Sequence, residues 1–196
     1  MMRGNDHRFD QTLDDRVWRR PFHLRAACDE DAPAVIALIE RCFSDYPGCV
    51  IDLPGLDADL PRVASHFAAR QGRFWVAERM DAKEAAVAAG KGRIVGCIGH
   101  VPLEEPGLFE LKRLYVHPSA RRMGLASLLA ERIERTVSDL GGREIRLWSD
   151  TRFRKAHAFY LARGYFRTGR TRELHDPSNT TEYEFVKYLE DQPTDS

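Results

Sequence analysis

The stretch LYVHPSARRMGLASLLAERI, residues 114–133, decides how the chain is read. Its first residues run as the end of a strand, and Pro118 forbids continuation because it has no amide hydrogen to give a ladder. A short connection then enters a helix through Arg121-Arg122-Met123-Gly124-Leu125-Ala126. The first four N–H groups of a helix lack intrahelical acceptors and sit at the positive end of its dipole, so such a start attracts anions. Gly124 and Ala126 lack bulk and let a phosphate approach the backbone, while Arg121 and Arg122 add charge-assisted donors. An ordinary strand–loop–helix connection with exposed arginines accounts for these residues equally well, since glycine-bearing turns are common.

Working outward, LFELKRLYVHP (108–118) is a strand with an interruption: Lys112 and Arg113 are consecutive charges in an apolar run, which predicts a bulge. After the turn, Leu125, Leu128, Leu129, Ile133, Val137 and Leu140 mark a long amphipathic helix that Gly141-Gly142 stops. EIRLW (144–148) reads as a strand and FRKAHAFYLAR (153–163) as a helix ending at Gly164. YFRTGRT (165–171) and TEYEFVKYL (181–189) close the chain as strands around the turn DPSN. On the N-terminal side, FHLRAAC (22–28) predicts a strand, with Asp29 as the cap of a helix carrying Val35, Ile36, Leu38, Ile39, Cys42 and Phe43 at helical spacing. YPGCVIDLPG (46–55) is an irregular connection, followed by a short helix over 57–70 and strands RFWVAER (73–79) and RIVGCIGHV (93–101). The Ala-rich segment 81–92 reads as an extended hairpin loop, and residues 1–21 and 190–196 as a mobile arm and a tail around one domain at 22–189.

Composition supports one globular domain: 196 residues, 43% hydrophobic and 31% charged, enough to build a core without disulfides or metal. The longest apolar runs, such as 85–89, fall far short of a membrane span, and the N-terminus has no apolar core of the secretory kind. Cys28, Cys42, Cys49 and Cys97 form no C-x-x-C pair, and the seven histidines show no ligand spacing. The expectation is therefore buried free thiols, no metal, no membrane and a cytoplasmic protein. Thirty basic and thirty acidic residues cancel, which at first argues against an anionic partner. Along the chain they separate: residues 112–172 hold fifteen Lys and Arg against five acids, a net of +10, leaving −10 elsewhere. No helix-turn-helix, zinc or RNA-binding pattern accompanies the basic block, so no nucleic-acid partner is expected. A small polyanion suits it better.

The pattern V-x-P-x-x-R-R-x-G-x-A followed by an apolar helix resembles the acyl-CoA-binding motif of the GNAT superfamily of N-acetyltransferases, with Arg121, Gly124 and Ala126 in register. AHAFYLARGY (156–165) is similar to a second family feature, A-x-x-F-Y-x-x-x-G-F, through Ala156, Phe159, Tyr160, Gly164 and Tyr165. The element order from 22 to 189 also agrees. The resemblance implies an α/β GNAT fold: a mixed sheet of six to seven strands with about four helices, and a V-shaped splay between the strands near 108–118 and 144–148. It implies that backbone groups of Leu114, Tyr115 and Val116 bind the pantetheine arm of acetyl-CoA. Amides of Arg121, Arg122, Met123, Gly124, Leu125, Ala126 and Ser127 would hold the pyrophosphate. Many members carry Asn where this chain has Phe153, which leaves open how the arm is held, with Thr151 or Asp150 as candidate substitutes, and whether the acyl group is acetyl or larger.

The resemblance further implies acetyl transfer by direct attack of a primary amine, small-molecule or protein. A lysine-like amine with pKa near 10.4 is free base in only about one molecule in 2,500 at pH 7, a deficit of about 4–5 kcal/mol. The leaving thiol, with pKa about 8.5, departs far more easily. Deprotonating the amine therefore matters more than protonating sulfur. Glu110, where many members carry a catalytic Glu, is the candidate base through water, and Tyr160 the candidate acid. An exposed strand Glu and an amphipathic core tyrosine are the structural alternatives. His157 reads as a helix-surface residue. The eight acids at 29–60 against Arg41 alone suggest attraction of a cationic acceptor, although helix-start charges and a solvated face explain them as well. A non-catalytic acyl-CoA sensor of the same fold is the alternative function, and a homodimer follows by family analogy alone.

Overall fold

The computed structural model describes residues 22–79 and 92–189. The arm at 1–21, the tail at 190–196 and nearly all of the loop expected at 81–92 lie outside the described residues. The chain runs β1 (Phe22–Ala26), α1 (Ala32–Phe43), α2 (Val63–Ala69), β2 (Arg73–Arg79), β3 (Arg93–Pro102) and β4 (Leu108–Val116). It continues through α3 (Leu125–Asp139), β5 (Glu144–Asp150), α4 (Arg154–Ala162), β6 (Phe166–Glu173) and β7 (Thr181–Tyr188). Among the described residues no helix is long and apolar enough to cross a membrane.

The seven strands form one sheet in the order β1-β2-β3-β4-β5-β7-β6. All pairings are antiparallel except β4–β5, which is parallel and covers only Leu108–Glu110 against Glu144–Arg146. Both strands then run on without each other, β4 to Val116 and β5 to Asp150, so the sheet opens into a V. The expected splay is therefore present. On β4 the expected bulge is present too: Tyr115 faces Cys97 and Lys112 faces Gly99, so Arg113 and Leu114 share the place of one partner residue, Ile98. Arg113 adopts φ +61°, an uncommon left-handed conformation for a bulky residue.

Helices cover both faces of the sheet. On one face Val35, Ile39, Val63 and Phe67 from α1 and α2 pack on Phe74, Val76, Cys97 and Val101. On the other, Leu125, Leu129, Ile133 and Val137, spaced by four along α3, meet Ile98, Phe109, Leu111, Ile145 and Leu147. Each such fully buried side chain contributes roughly 1.5–3 kcal/mol of burial free energy. Gly141, at φ +74°, ends α3, and the Gly142 amide donates to the Val137 carbonyl at 2.8 Å.

Two local expectations change. Asp29 does not cap α1; its Oδ1 accepts the Ala64 and Ser65 amides at 2.9 Å each, capping α2 across the fold, while Asp29–Asp31 form a separate short 3-10 turn. Of the four free cysteines, Cys42 and Cys97 are buried, but Cys28 and Cys49 are only half-buried.

Candidate active site

The V opens into a cavity of about 80 Å³ whose walls are β4 at Leu111, Leu114 and Tyr115, β5 at Trp148, Ser149 and Asp150, and the start of α4. On its β5-facing side, β4 has no strand partner beyond Glu110, so the backbone of 111–116 is offered to an extended ligand. The end of this stretch is partly committed: the Val116 carbonyl accepts from Arg121 Nε at 3.1 Å and from Cys42 Sγ at 3.4 Å.

Past β4 the chain forms a cradle of amides. Ala120 N–H donates to His117 O and Arg121 N–H to Pro118 O, and backbone bonding resumes only with Leu128 N–H on Gly124 O. The amides of residues 122–127 therefore find no backbone acceptor among the described residues. Arg122 at φ +62° and Gly124 at φ +81° are left-handed positions of the kind from which anion nests at helix starts are built. Arg122, Met123, Gly124 and Ser127 are exposed, whereas the Leu125 side chain is buried in the core and leaves only its amide to the cradle. Arg121 differs from the expectation of a free phosphate donor: its guanidinium is bound to Asp45 at 2.6 Å and to Val116 O. The site thus suits a phosphate-bearing ligand with a long extended arm, through neutral amides first and arginine charge second.

Tyr160 on α4 lies in the wall of the cavity, 6% exposed, with its ring against Phe159, Tyr165 and Phe185. Burial alone pushes its phenol above the ordinary tyrosine range. Glu110 stands at the base of the V, where β4 and β5 are still paired, and receives Lys112 Nζ at 3.2 Å. Of the two expected catalytic residues, Tyr160 lines the cavity and Glu110 is not among the residues that line it. Phe153 lines the cavity and packs on Tyr46 at 4.6 Å and Phe43 at 6.0 Å, so the Asn position is filled by an aromatic cluster. Asp150, offered as a substitute, is held by the Arg152 side chain at 2.6–3.0 Å and by the Arg152 amide. His157 is not a bare surface residue: its Nε2–H donates to the Asp150 carbonyl at 2.9 Å and its ring meets Tyr183 and Phe185.

The acids at 29–60 are largely spent inside the fold. Asp31 binds Arg25, Asp45 binds Arg41 and Arg121, and Asp52 accepts the Leu56 amide. Asp57 and Asp59 clamp the Arg113 guanidinium at 2.5 Å each. They are structural partners rather than a free field for a cationic acceptor.

Sequence reading missed two residues that line the cavity, Trp148 and Glu182, and the Arg172 that meets both. Trp148 floors it beneath the Arg172 guanidinium, 4.4 Å from the ring centre. Glu182 on β7 completes the wall and accepts Arg172 Nε at 2.6 Å. Burial first, and the nearby Glu110 charge last, raise the Glu182 carboxyl above its usual range against the opposing pull of Arg172 and Lys112. The alternation of TEYEF was the available signal, but alternate acids on a strand ordinarily mean a solvated face. A larger cleft, about 440 Å³, opens between α1 and the ends of β2 and β3, but its Arg25 is already paired with Asp31 and Glu78, and its Arg93 is hydrogen-bonded to His117 at 3.1 Å. Among the described residues no cluster of three or more His, Cys, Asp or Glu is placed to hold a metal.

Comparison with known proteins agrees with this geometry. The chain is 27% identical over 143 residues to human N-acetyltransferase 8, covering 71% of this chain and 56% of that protein, little more than half its length. An acetyltransferase of the GNAT family from Staphylococcus aureus superposes with a TM-score of 0.69 at 18% identity, over 86% of this chain and 99% of that one. PaiA N-acetyltransferase from Thermoplasma acidophilum, solved with coenzyme A, superposes with a TM-score of 0.59 at 17% identity, over 86% and 99%. The acetyltransferase (GNAT) family profile matches residues 32–165, and with the splayed strands and amide cradle in place the chain belongs to that family.

Proposed function

We propose that this protein is an N-acetyltransferase that moves an acetyl group from acetyl-CoA to a primary amine by direct attack. The observation that carries the reading is the continuity of two features: an unpaired strand edge at 111–116 and, a few residues on, unsatisfied amides at 122–127. The first suits a pantetheine arm and the second a pyrophosphate. Leu114, Tyr115 and Val116 would hold the arm, and the backbone from Arg121 to Ser127 the phosphates. Phe153, with Tyr46, would give the arm an apolar contact in place of a hydrogen bond.

The acetyl thioester would lie in the cavity with Tyr160 in its wall. The amine nitrogen forms its bond to the carbonyl carbon while its proton is drawn through water toward Glu110. The C–S bond then breaks, and the sulfur departs with the electron pair under the Tyr160 hydroxyl. The protein's main contribution is to position the amine and remove its proton, because the thiol is already a tolerable leaving group.

The test is acetyl-CoA turnover against a panel of amines: amino acids, polyamines, arylalkylamines and lysine peptides. Thiol release dependent on one class of amine supports the reading and names the acceptor. Tight coenzyme A binding with no amine-dependent turnover would favour the sensor reading instead.

A further inference from the structure

Glu182 is a carboxylate that the reaction as written leaves unused. It stands on β7 between Asp150 of β5 and Arg172 of β6, at the level where β4 has already left the sheet. Its neighbours along the strand, Tyr183 and Phe185, pack under α4 on His157 and Tyr160. Successive strand side chains alternate, so Glu182 reaches the cavity from the face opposite Tyr160. An acid and a base for acyl transfer belong on opposite sides of the reacting carbon, since the nucleophile enters where the leaving group does not. Glu110, by contrast, stays at the closed end of the V with Lys112 on its carboxylate.

We propose that Glu182 is a second general base, the one that touches the acceptor amine and takes its proton, with Glu110 acting behind it through water. The proposal rests on the acetyl-transfer reading above. The ammonium gives its first proton to Glu182, which releases it to solvent; the freed amine forms the N–C bond, the second proton on nitrogen passes to Glu182, and the C–S bond breaks with its electrons on sulfur. The thiolate leaves under a hydrogen bond from the Tyr160 hydroxyl, which keeps its proton, and takes a proton from solvent, while Glu182 returns its own to solvent. The geometry suits the role: Arg172 engages only Oε2, and Oε1 carries no hydrogen bond among the described residues. The charged groups around it are Arg172, Lys112, Glu110, and Asp150 with its partner Arg152. Their balance with burial leaves the carboxyl above its usual range, closer to working pH and so a stronger base.

The experiment measures kcat/KM against pH for wild type, Glu182→Gln, Glu110→Gln and Arg172→Gln, with coenzyme A affinity measured separately. Glu182→Gln is expected to lower kcat/KM at pH 7 about 10²-fold, leave coenzyme A affinity intact and recover toward wild type as pH nears the pKa of the amine. Arg172→Gln removes a cation from Glu182 and is expected to move the acid limb to higher pH. A merely structural role would not move that limb, and this readout stands even if Glu182→Gln fails to fold. An active wild type whose acid limb is unchanged in both variants overturns the inference alone. A wild type that acetylates no amine overturns the underlying reading as well.

Discussion

Burial holds the Tyr160 phenol above its ordinary range, so the hydroxyl stays protonated at every pH at which acetyl transfer is measured. Full proton transfer from such a phenol to a thiolate of pKa about 8.5 is uphill. In the proposed reaction its service would therefore be a hydrogen bond donated to sulfur as charge develops there. Tyr160→Phe is expected to lower kcat by about 10² while barely moving KM for the acyl donor, and an unchanged kcat would remove Tyr160 from the reaction. His100 poses a different problem. It is 1% exposed, stacked on Trp75 at 5.6 Å, and neither ring nitrogen has a partner among the described residues. Burial, then Arg73, lower its pKa from 6.5 to about 4. Between those values the unfolded chain binds the proton and the folded chain does not, so stability is full above pH 6.5 and falls as pH drops toward 4. The loss over that window is on the order of 3 kcal/mol. His100→Phe should flatten it, as read by urea midpoints at about pH 7 and pH 4.5. An equal acid loss in the variant would place the sensitivity elsewhere.

At the scale of elements, the bulge on β4 is where sequence and structure meet most closely. Two consecutive charges in LFELKRLYV break the alternation a strand needs, and that break was legible because side-chain period in a strand is strictly two. What Arg113 does there was not legible: its partners Asp57 and Asp59 lie 56 and 54 residues away, and only the folded chain brings them within 2.5 Å. The same holds for Asp29, whose local setting reads as a cap of α1 while tertiary packing hands it to α2. The amide cradle was legible because Pro118 and Gly124 act locally, whereas Glu182 was not, because a strand's solvated face and a cavity wall share one pattern. The Arg113 clamp also pins the 56–59 connection onto the bulge, through Leu56 O as well as both carboxylates. Arg113→Ala would leave two buried carboxylates, each 7% exposed, without their cation. Breaking a buried pair from one side costs about 3–5 kcal/mol, so chemical denaturation should show a loss of that order. Arg113→Lys should recover only part of it, since a point charge cannot fork between two acids. A loss under about 1 kcal/mol for Arg113→Ala would mean that water replaces the clamp.

At the scale of the whole molecule, the zero net charge conceals a basic block of +10 over residues 112–172. In the fold much of that block is paired at close range: Arg121 with Asp45, Arg163 with Glu134, Arg170 with Glu184 and Arg172 with Glu182. Three of these four acids, Asp45, Glu182 and Glu184, lie outside the block, so pairing reduces the local field around the proposed donor site without abolishing it. In the proposed function donor binding would have two electrostatic parts that respond differently to salt. Amides of residues 122–127, which have no backbone acceptor among the described residues, would act as fixed dipoles at contact distance and be little screened. Exposed Arg122 and the residual positive field act over longer distances, and screening removes them as the Debye length falls from about 30 Å at 0.01 M to about 10 Å at 0.1 M. For a polyanionic donor, kcat/KM should therefore fall about threefold to tenfold over that range, through KM, with kcat unchanged. Arg122→Gln should lower the low-salt value and flatten the slope while leaving the high-salt limit near wild type. Initial rates at saturating acceptor, with donor and NaCl varied, measure both. A flat salt profile in the wild-type protein would assign donor binding to the amide cradle alone and leave the charge separation without a part in catalysis.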